Sequence, residues 1–438
     1  MLLSKIGYSY NDITIVPSII SRVTSRTECN PFVKDNFLPI FASPMASVVN
    51  FENYETFLDN GIIPIIPRNI SLEVRKDLMD DQQWVALSLK EFEDLFIEHS
   101  KDRIGDFRTH YFVVIDIANG HMQSLYEKCI TAKMKAKDND YKLTIMTGNI
   151  ANAETYKWIC DNAKYIDNEG YYETAVDYIR VGIGGGSGCI TTSNVSIHYP
   201  QASLINECKQ IKDKFENKSV RKYPAIVADG GIRNYDHVIK ALALGADYVM
   251  IGSVFAQCIE SAGEKTNKSL STKLPLRFPI ERYKDFSIDQ KGYLKGYYTD
   301  EFINENIKPW KDKLDAAEMA VVHGQLTYND SEYKLAVLEH SNKLVELKEQ
   351  KLIGQVDVKF FGMASADGQK SISGKKTKTA EGITKWLPVK YTLAGWVENM
   401  ISYLRSAMSY TDCKTLKEFI GKPELIVNSI SEIQAVNR

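Results

Sequence analysis

From Leu38 to Ile251 the chain alternates short apolar runs with longer, more polar stretches. Eight such runs stand out: Leu38–Ser43, Gly61–Ile66, Trp84–Leu89, Tyr111–Ile117, Lys142–Met146, Tyr178–Ile183, Ala225–Ala228 and Tyr248–Ile251. Most are β-branched and continuously apolar, which predicts parallel strands covered on both faces. Between them Asn152–Asn162 and Tyr235–Leu244 read as helices, the second stopped by Gly245 just past its end. Eight β/α units over roughly 220 residues are the count of a (β/α)8 TIM barrel. A doubly wound open sheet also alternates strand and helix, but a count that closes at eight favours the barrel. An earlier apolar segment, Asp12–Pro17, reads as a short strand ended by its proline.

After Ser253 this rhythm stops. Residues 265–355 show no strand-and-helix alternation and are rich in Lys, Tyr and Asp, with a long helix expected from about Glu332 to Lys351. Leu335, Val337, Leu338, Leu344, Val345 and Leu347 fall on a helical stripe there, and Trp310, Phe278, Phe286 and Phe302 add apolar anchors. Val356–Phe361 reads as a strand, Asp367–Thr379 has the composition of a mobile loop, and Ala394–Met408 reads as a closing helix. The expected organisation is a barrel core over 1–264, an inserted, mainly helical region over 265–355, and a flap plus helix over 356–438 that complete the barrel. The insert leaves and re-enters beside the expected active-site mouth. It is either a solvated excursion or a cover over that mouth or a neighbouring subunit.

Composition narrows the class. A formal charge of −2 with 25% charged residues in 438 gives no basic surface for nucleic acid or an anionic membrane. Seven cysteines are scattered without C-x-x-C spacing, which suits free thiols in a reducing compartment. No apolar run approaches membrane-spanning length and the N-terminus lacks a signal-peptide core, so the reading is soluble and cytoplasmic.

The polar and glycine residues at the ends of the expected strands carry the chemistry, since that end of a barrel holds the active site. Val181–Thr192 reads V-G-I-G-G-G-S-G-C-I-T-T, five glycines around one cysteine. Glycines at that density let backbone approach a ligand closely. Cys189 is then either a thiolate held at the mouth, with the Thr191 and Thr192 hydroxyls near enough to handle protons, or a buried inert thiol. D-G-G at 229–231 and I-G-S at 251–253 end the last two strands, where glycine turns build a phosphate cradle from backbone N–H groups. A phosphorylated small molecule with an electrophilic carbon fits a cysteine beside such a cradle.

Taken together, G-I-G-G-G-S-G-C-I-T-T, Y-P-Q (199–201), A-D-G-G-I-R, M-I-G-S, E-S-A-G-E (260–264), F-G-M-A-S (361–365) and A-E-G (380–382) resemble the IMP dehydrogenase/GMP reductase family. The likeness covers nearly the whole chain except 265–355. It implies that Cys189 attacks C2 of a purine nucleotide monophosphate as nucleophile, and that a nicotinamide cofactor, NADPH or NADH, exchanges hydride with that carbon. It implies that Asp229, Gly230, Gly231, Gly252 and Ser253 grip ribose and phosphate. Gly362, Met363, Ala364 and Gly382 would face the base, and Glu381 would reach N1 and the C2 substituent. The cofactor would meet Arg68, Asp116, Ala118, Asn119, Ile183, Gly184 and Lys378. The carbonyls of Gly184, Gly186 and Cys189 match the family's monovalent-cation loop, for K+ or a similar ion. A homotetramer is the assembly the resemblance implies.

The two branches of the family separate on chemistry. A dehydrogenase hydrolyses its thioimidate and carries an Arg-Tyr pair before A-E-G to activate water; D-G-Q-K-S-I-S-G-K-K-T-K-T has neither. A reductase instead protonates departing ammonia, for which Thr191 with Glu381 resembles the reductase arrangement, as does D-I-A-N-G at 116–120. S-P-M at 43–45 and A-D-G-G-I-R are nearer dehydrogenase spellings. The expectation is a GMP reductase, with an IMP dehydrogenase as the alternative and a noncatalytic purine-nucleotide sensor as the third reading.

Overall fold

The computed structural model describes residues 5–100, 109–167, 169–186, 188, 190–216, 223–267, 283–288, 294–298, 300–349, 356–374 and 382–429. They fall into two compact units: Met1–Gly263 with Phe360–Lys385 and Leu393–Arg438, and Glu264–Lys359 with Trp386–Thr392.

The first unit is a TIM barrel. Its strands are Ile40–Ala42, Ile63–Ile66, Trp84–Leu87, His110–Ile115, Lys142–Ile150, Tyr178–Val181, Ala225–Asp229 and Tyr248–Ile251, hydrogen-bonded side by side in that order. All eight expected runs are therefore barrel strands. Closure is parallel pairing of the last strand with the first, Val249 opposite Ile40 and Ile251 opposite Ala42. Alternate side chains point inward and pack as one cluster of Phe41, Ile65, Trp84, Ala86, Val114, Met146, Val227 and Met250. The Trp84 ring meets Phe41 edge-on at 5.4 Å and Tyr178 at 5.3 Å. The interior is thus filled by side chains, and a ligand has access only at an end.

Helices pack outside the barrel as the pattern requires. Ala153–Asn162 begins where the Asn152 side chain accepts the Glu154 N–H at 2.9 Å, and Tyr235–Ala243 ends before Gly245, whose φ is +107°. Buried charges are paired: Lys133 donates to Asp177 at 2.7 Å and Arg75 to Glu91 at 2.6 Å.

Several expectations are corrected. Only Ile13–Ile15 of Asp12–Pro17 is strand, and it pairs antiparallel with Leu425–Val427 outside the barrel. The chain does not close on its long helix, Leu393–Tyr410, because a short helix, Leu416–Phe419, and that strand follow it. Much of the supposed mobile loop is the helix Ala366–Ser373: Ser365 caps it by accepting the Gly368 N–H at 3.1 Å, and Gly374 at φ +71° ends it. The remaining 375–379 lie outside the described residues.

In the second unit, Lys265–Asn267 pairs antiparallel with Val356–Phe361, and Tyr283–Ile288 forms a hairpin with Leu294–Tyr298. Two helices, Asp300–Val322 and Ser331–Glu349, pack together. Only the second was expected; Pro309 inside the first disguises it, because proline normally interrupts a helix interior. The seam differs from the apolar stripe read in the sequence. Leu344 does pack on Ile303 and Ile307, but Ala336 is the buried residue, while Leu335, Leu338 and Val345 are exposed. Lys343 over Trp310 and a Lys313–Glu339 ion pair at 3.1 Å complete the helix pair. Phe278 is outside the described residues, as are the side chains of Phe286 and Leu347.

Candidate active site

The C-terminal ends of the barrel strands open into a cavity of about 800 Å³. Its wall holds Ser43 from the first strand's end, Arg68 from the second, Asp116 and Ala118 from the fourth, Asn149 from the fifth, the glycine loop from the sixth, Asp229–Gly231 from the seventh, and Gly252 with Ser253 from the eighth. Gly362, Met363 and Ala364 close the remaining side. Many of the residues expected to hold ribose, phosphate, base and cofactor line this one space; Asn119 and Gly382 do not.

The glycine loop is clamped by backbone on both flanks. The Gly231 N–H donates to Gly185 O at 3.0 Å, and the Ile383 N–H donates to Gly188 O at 2.9 Å. A Cβ on Gly188 would lie 3.0 Å from Gly362 N, so this close approach requires glycine. Gly230 and Gly231 have φ of +104° and +75°, which bends the seventh strand's end into the cavity wall. Behind that turn the Tyr10 ring lies 5.2 Å from His237. His237 Nδ1 is 2.9 Å from Gly231 O, and its Nε2 is 2.9 Å from Asn11 Oδ1. Burial holds the His237 pKa below its ordinary value, with Asp236 opposing.

Polar side chains in the wall form one network centred on Arg180. Its Nε donates to Asp229 Oδ2 at 2.9 Å and its Nη1 to Asp116 Oδ1 at 3.0 Å. Asn149 Nδ2 donates to the same Asp229 oxygen at 2.7 Å and to Gly182 O at 2.8 Å. Arg68 Nη1 donates to Asp116 O at 3.1 Å. Burial alone would lower the Arg180 pKa, but the Asp229 and Asp116 charges outweigh it and the net shift is upward. The cation therefore stays charged and fixes both carboxylates. Sequence reasoning missed Arg180, although an arginine inside the apolar run Y-I-R-V is the signal of a buried, paired cation.

Thr191, first residue of the short helix Thr191–Val195, lines the cavity, and Thr192 Oγ1 donates to Gly184 O at 3.1 Å. Ile183, Gly184 and Gly186 also line it. Asn119 is not among the wall residues; its Oδ1 accepts the His121 N–H at 3.0 Å. Gly382 lies against Gly188, where a Cβ on it would be 3.0 Å from Gly188 O. Cys189, Lys378 and Glu381 lie outside the described residues. The other six cysteines are all buried. Among the described residues no group of three His, Cys, Asp or Glu could hold a metal ion. No described helix is long and apolar enough to cross a membrane.

A filled TIM barrel with glycine turns on its last two strands and a glycine loop on the sixth opens a wide cavity at the end of the barrel where active sites of this fold lie. Residues 98–273 match the family described as IMP dehydrogenase / GMP reductase domain. The GMP reductase of Helicobacter pylori (strain G27) is 31% identical over 271 residues, covering 59% of this chain and 73% of that protein. That of Pediococcus pentosaceus is 29% identical over 269 residues, with the same coverage. A GMP reductase of Streptococcus agalactiae is 29% identical over 320 residues, 70% of this chain and 85% of that protein. The chain belongs to the IMP dehydrogenase/GMP reductase family and is accordingly an oxidoreductase.

Proposed function

We propose that the chain is a GMP reductase, converting GMP to IMP and ammonia with a nicotinamide cofactor through a cysteine thioimidate at purine C2. The observation that carries this reading is the Ile383 N–H to Gly188 O bond at 2.9 Å, beside a wall lined by Thr191. Gly188 immediately precedes Cys189, and Ile383 is two residues after Glu381. This bond joins the sequence neighbours of the proposed nucleophile and acid, which supports the pairing of their roles.

In this reading the Cys189 thiolate adds to C2, and the C2–N bond breaks as Glu381, relayed by Thr191, protonates the amine that leaves as ammonia. A reduced nicotinamide, when bound, supplies the hydride that C2 receives. The C2–S bond then breaks, returning the thiolate and leaving IMP; the balance is GMP, a hydride and two protons to IMP and ammonium. Arg68, Asp116, Ala118, Asn119, Ile183, Gly184 and Lys378 would hold the cofactor, NADPH or NADH. The fit is supported by the Arg68 Nε, buried without a partner among the described residues at the edge of this large cavity. Asp229, held by Arg180 and Asn149, would take the ribose hydroxyls. The turn N–H groups at Gly230, Gly231, Gly252 and Ser253 would take the phosphate, and Gly362, Met363, Ala364 and Gly382 would face the base.

Reduction rather than hydrolysis is supported by what the wall lacks. No tyrosine, histidine or lysine lines the cavity among the described residues, and 367–379 contain neither Arg nor Tyr. That segment therefore offers no Arg-Tyr pair to activate a water. Gly184 O, which accepts the Thr192 hydroxyl, has a second lone pair for a monovalent cation shared with Gly186 and Cys189; turnover in K+ against a bulky organic cation tests this. The homotetramer and the cytoplasmic location rest on the resemblance and composition alone, and light scattering checks the former.

The thioimidate is tested by intact-mass analysis of protein quenched during turnover, followed by peptide mapping. A nucleotide adduct on Cys189, absent in Cys189→Ser, is expected. An adduct on another cysteine removes the assignment.

A further inference from the structure

The helix Ser331–Glu349 carries apolar residues on two opposite faces. The inner face packs on Asp300–Val322, with Ala336 buried and Leu344 against Ile303 and Ile307. The outer face holds Leu335, Leu338 and Val345, which are 55%, 55% and 51% exposed. At 3.6 residues per turn these three lie about half a turn around the helix from Ala336 and Leu344. The single stripe read in the sequence is thus two stripes, one inside the helix pair and one open to solvent.

The outer stripe has the spacing of a coiled-coil seam. Leu335, Leu338, Asn342 and Val345 follow one another at steps of three, four and three, the a, d, a and d positions of two heptads. A single Asn at an a position fixes register and strand number in such seams. The flanks divide by charge. Glu332, Glu339 and Glu346 occupy the e positions, and Lys334, Ser341 and Lys348 the g positions. In a parallel pair each g position meets the e position five residues on in the second copy, which sets Lys334 against Glu339 twice across the two-fold axis. In an antiparallel pair e meets e and g meets g, so Glu would face Glu and Lys would face Lys. Charge complementarity therefore selects a parallel pairing of this helix with itself.

Glu339 has capacity for that contact. Its Oε2 takes Lys313 of the same chain at 3.1 Å, and a carboxylate accepts a second cation on its other oxygen. Packing on Asp300–Val322 also holds the helix formed, so association does not bear the nucleation cost of a lone helix.

We propose that the outer face of Ser331–Glu349 is a docking surface for a second copy of this chain, joined through a parallel two-stranded coiled coil. The surface lies outside residues 98–273, which match the family, and the inference does not rest on the GMP reductase reading.

The test uses the full chain. Light scattering over a range of concentrations reads pairing between assemblies, and mild oxidation of Asn342→Cys reads it within one, because a positions of a parallel pair face each other within disulfide reach. Leu335→Glu/Leu338→Glu is expected to weaken association by roughly 100-fold or more, the scale of four Leu side chains returned to water. Lys334→Glu should weaken it roughly 10-fold, and Lys334→Glu/Glu339→Lys should restore it with the signs exchanged. Oxidised Asn342→Cys should map as a disulfide between two introduced thiols, lost when Leu335→Glu/Leu338→Glu is added. Asp312→Cys, exposed on the other helix, should give no such link. The Asn342→Cys disulfide supports the proposal even at unchanged mass, the pair then lying inside one assembly. Its absence overturns the proposal whether or not the mass changes. A lower urea midpoint of Leu335→Glu/Leu338→Glu with the assemblies equal would assign the stripe to the chain's own fold and overturn it as well.

Discussion

Arg180→Met removes one guanidinium while nearly keeping its volume, and its consequences can be worked from the contacts. Three charge-assisted contacts disappear, two near 2.9 Å to Asp229 and one of 3.0 Å to Asp116. The two carboxylates, with side chains 15% and 18% exposed, then face each other without their shared cation. Stripping one partner from a buried pair costs about 3–5 kcal/mol. Two features move this case to the lower end. Asn149 still donates to Asp229 at 2.7 Å, and Arg68 remains 4.0 Å from the Asp116 carboxylate. A loss of about 3 kcal/mol is expected, read as a lower urea midpoint at unchanged slope. The same carboxylates are proposed to meet ribose and cofactor, so both apparent affinities should weaken roughly tenfold or more. Arg180→Met/Asp229→Asn removes one of the two orphaned charges and should recover about 1 kcal/mol or more relative to additivity. A single-mutant cost below about 1 kcal/mol, or strict additivity in the double mutant, would refute the network's role.

Three other outcomes follow from the same geometry. Glu381→Gln should cut GMP turnover by roughly two to four decades with little change in nucleotide affinity, the weight of a positioned acid; wild-type turnover would move the proton route elsewhere. His237 has a folded pKa below its ordinary 6.5, so the unfolded chain binds more protons as pH falls. Its contribution to stability is full above about 6.5 and is lost as pH drops toward the folded pKa. Urea midpoints should therefore fall from about pH 7.5 to about pH 5.5, and His237→Gln should flatten that slope in part, His121 being shifted the same way. The proposed division into barrel (1–264 with 356–438) and insert (265–355) predicts that a short Gly/Ser connector in place of 265–355 leaves a soluble protein that binds GMP. An insoluble product would assign the insert to the barrel's own stability.

The barrel was legible because its strands are buried on both faces, so each appears as an unbroken apolar run such as Tyr248–Ile251. Strand ends were less legible. Lys142–Ile150 continues past Met146 through the polar T-G-N because pairing with the sixth strand persists, Ile150 opposite Val181. The glycine turns could be read because glycine is needed where φ is positive, as at Gly231. The Arg180 network could not, because its partners lie 64 and 49 residues away and only closure of the barrel joins them. The hairpin Lys164–Ile166 with Tyr172–Thr174 was missed because its strands are short and partly polar. The helix pair of the insert was misread in its facing, since Ala336 and Leu344 form the seam while larger apolar residues face solvent.

The central claim is the direction of the chemistry at purine C2. Purified protein mixed with GMP and NADPH is predicted to consume the reduced-nicotinamide absorbance and to release one ammonia and one IMP per cofactor oxidised. IMP with NAD should give no comparable production of reduced cofactor and no XMP. Formation of XMP from IMP and NAD, with GMP inert toward NADPH, would contradict the account and make the chain a dehydrogenase.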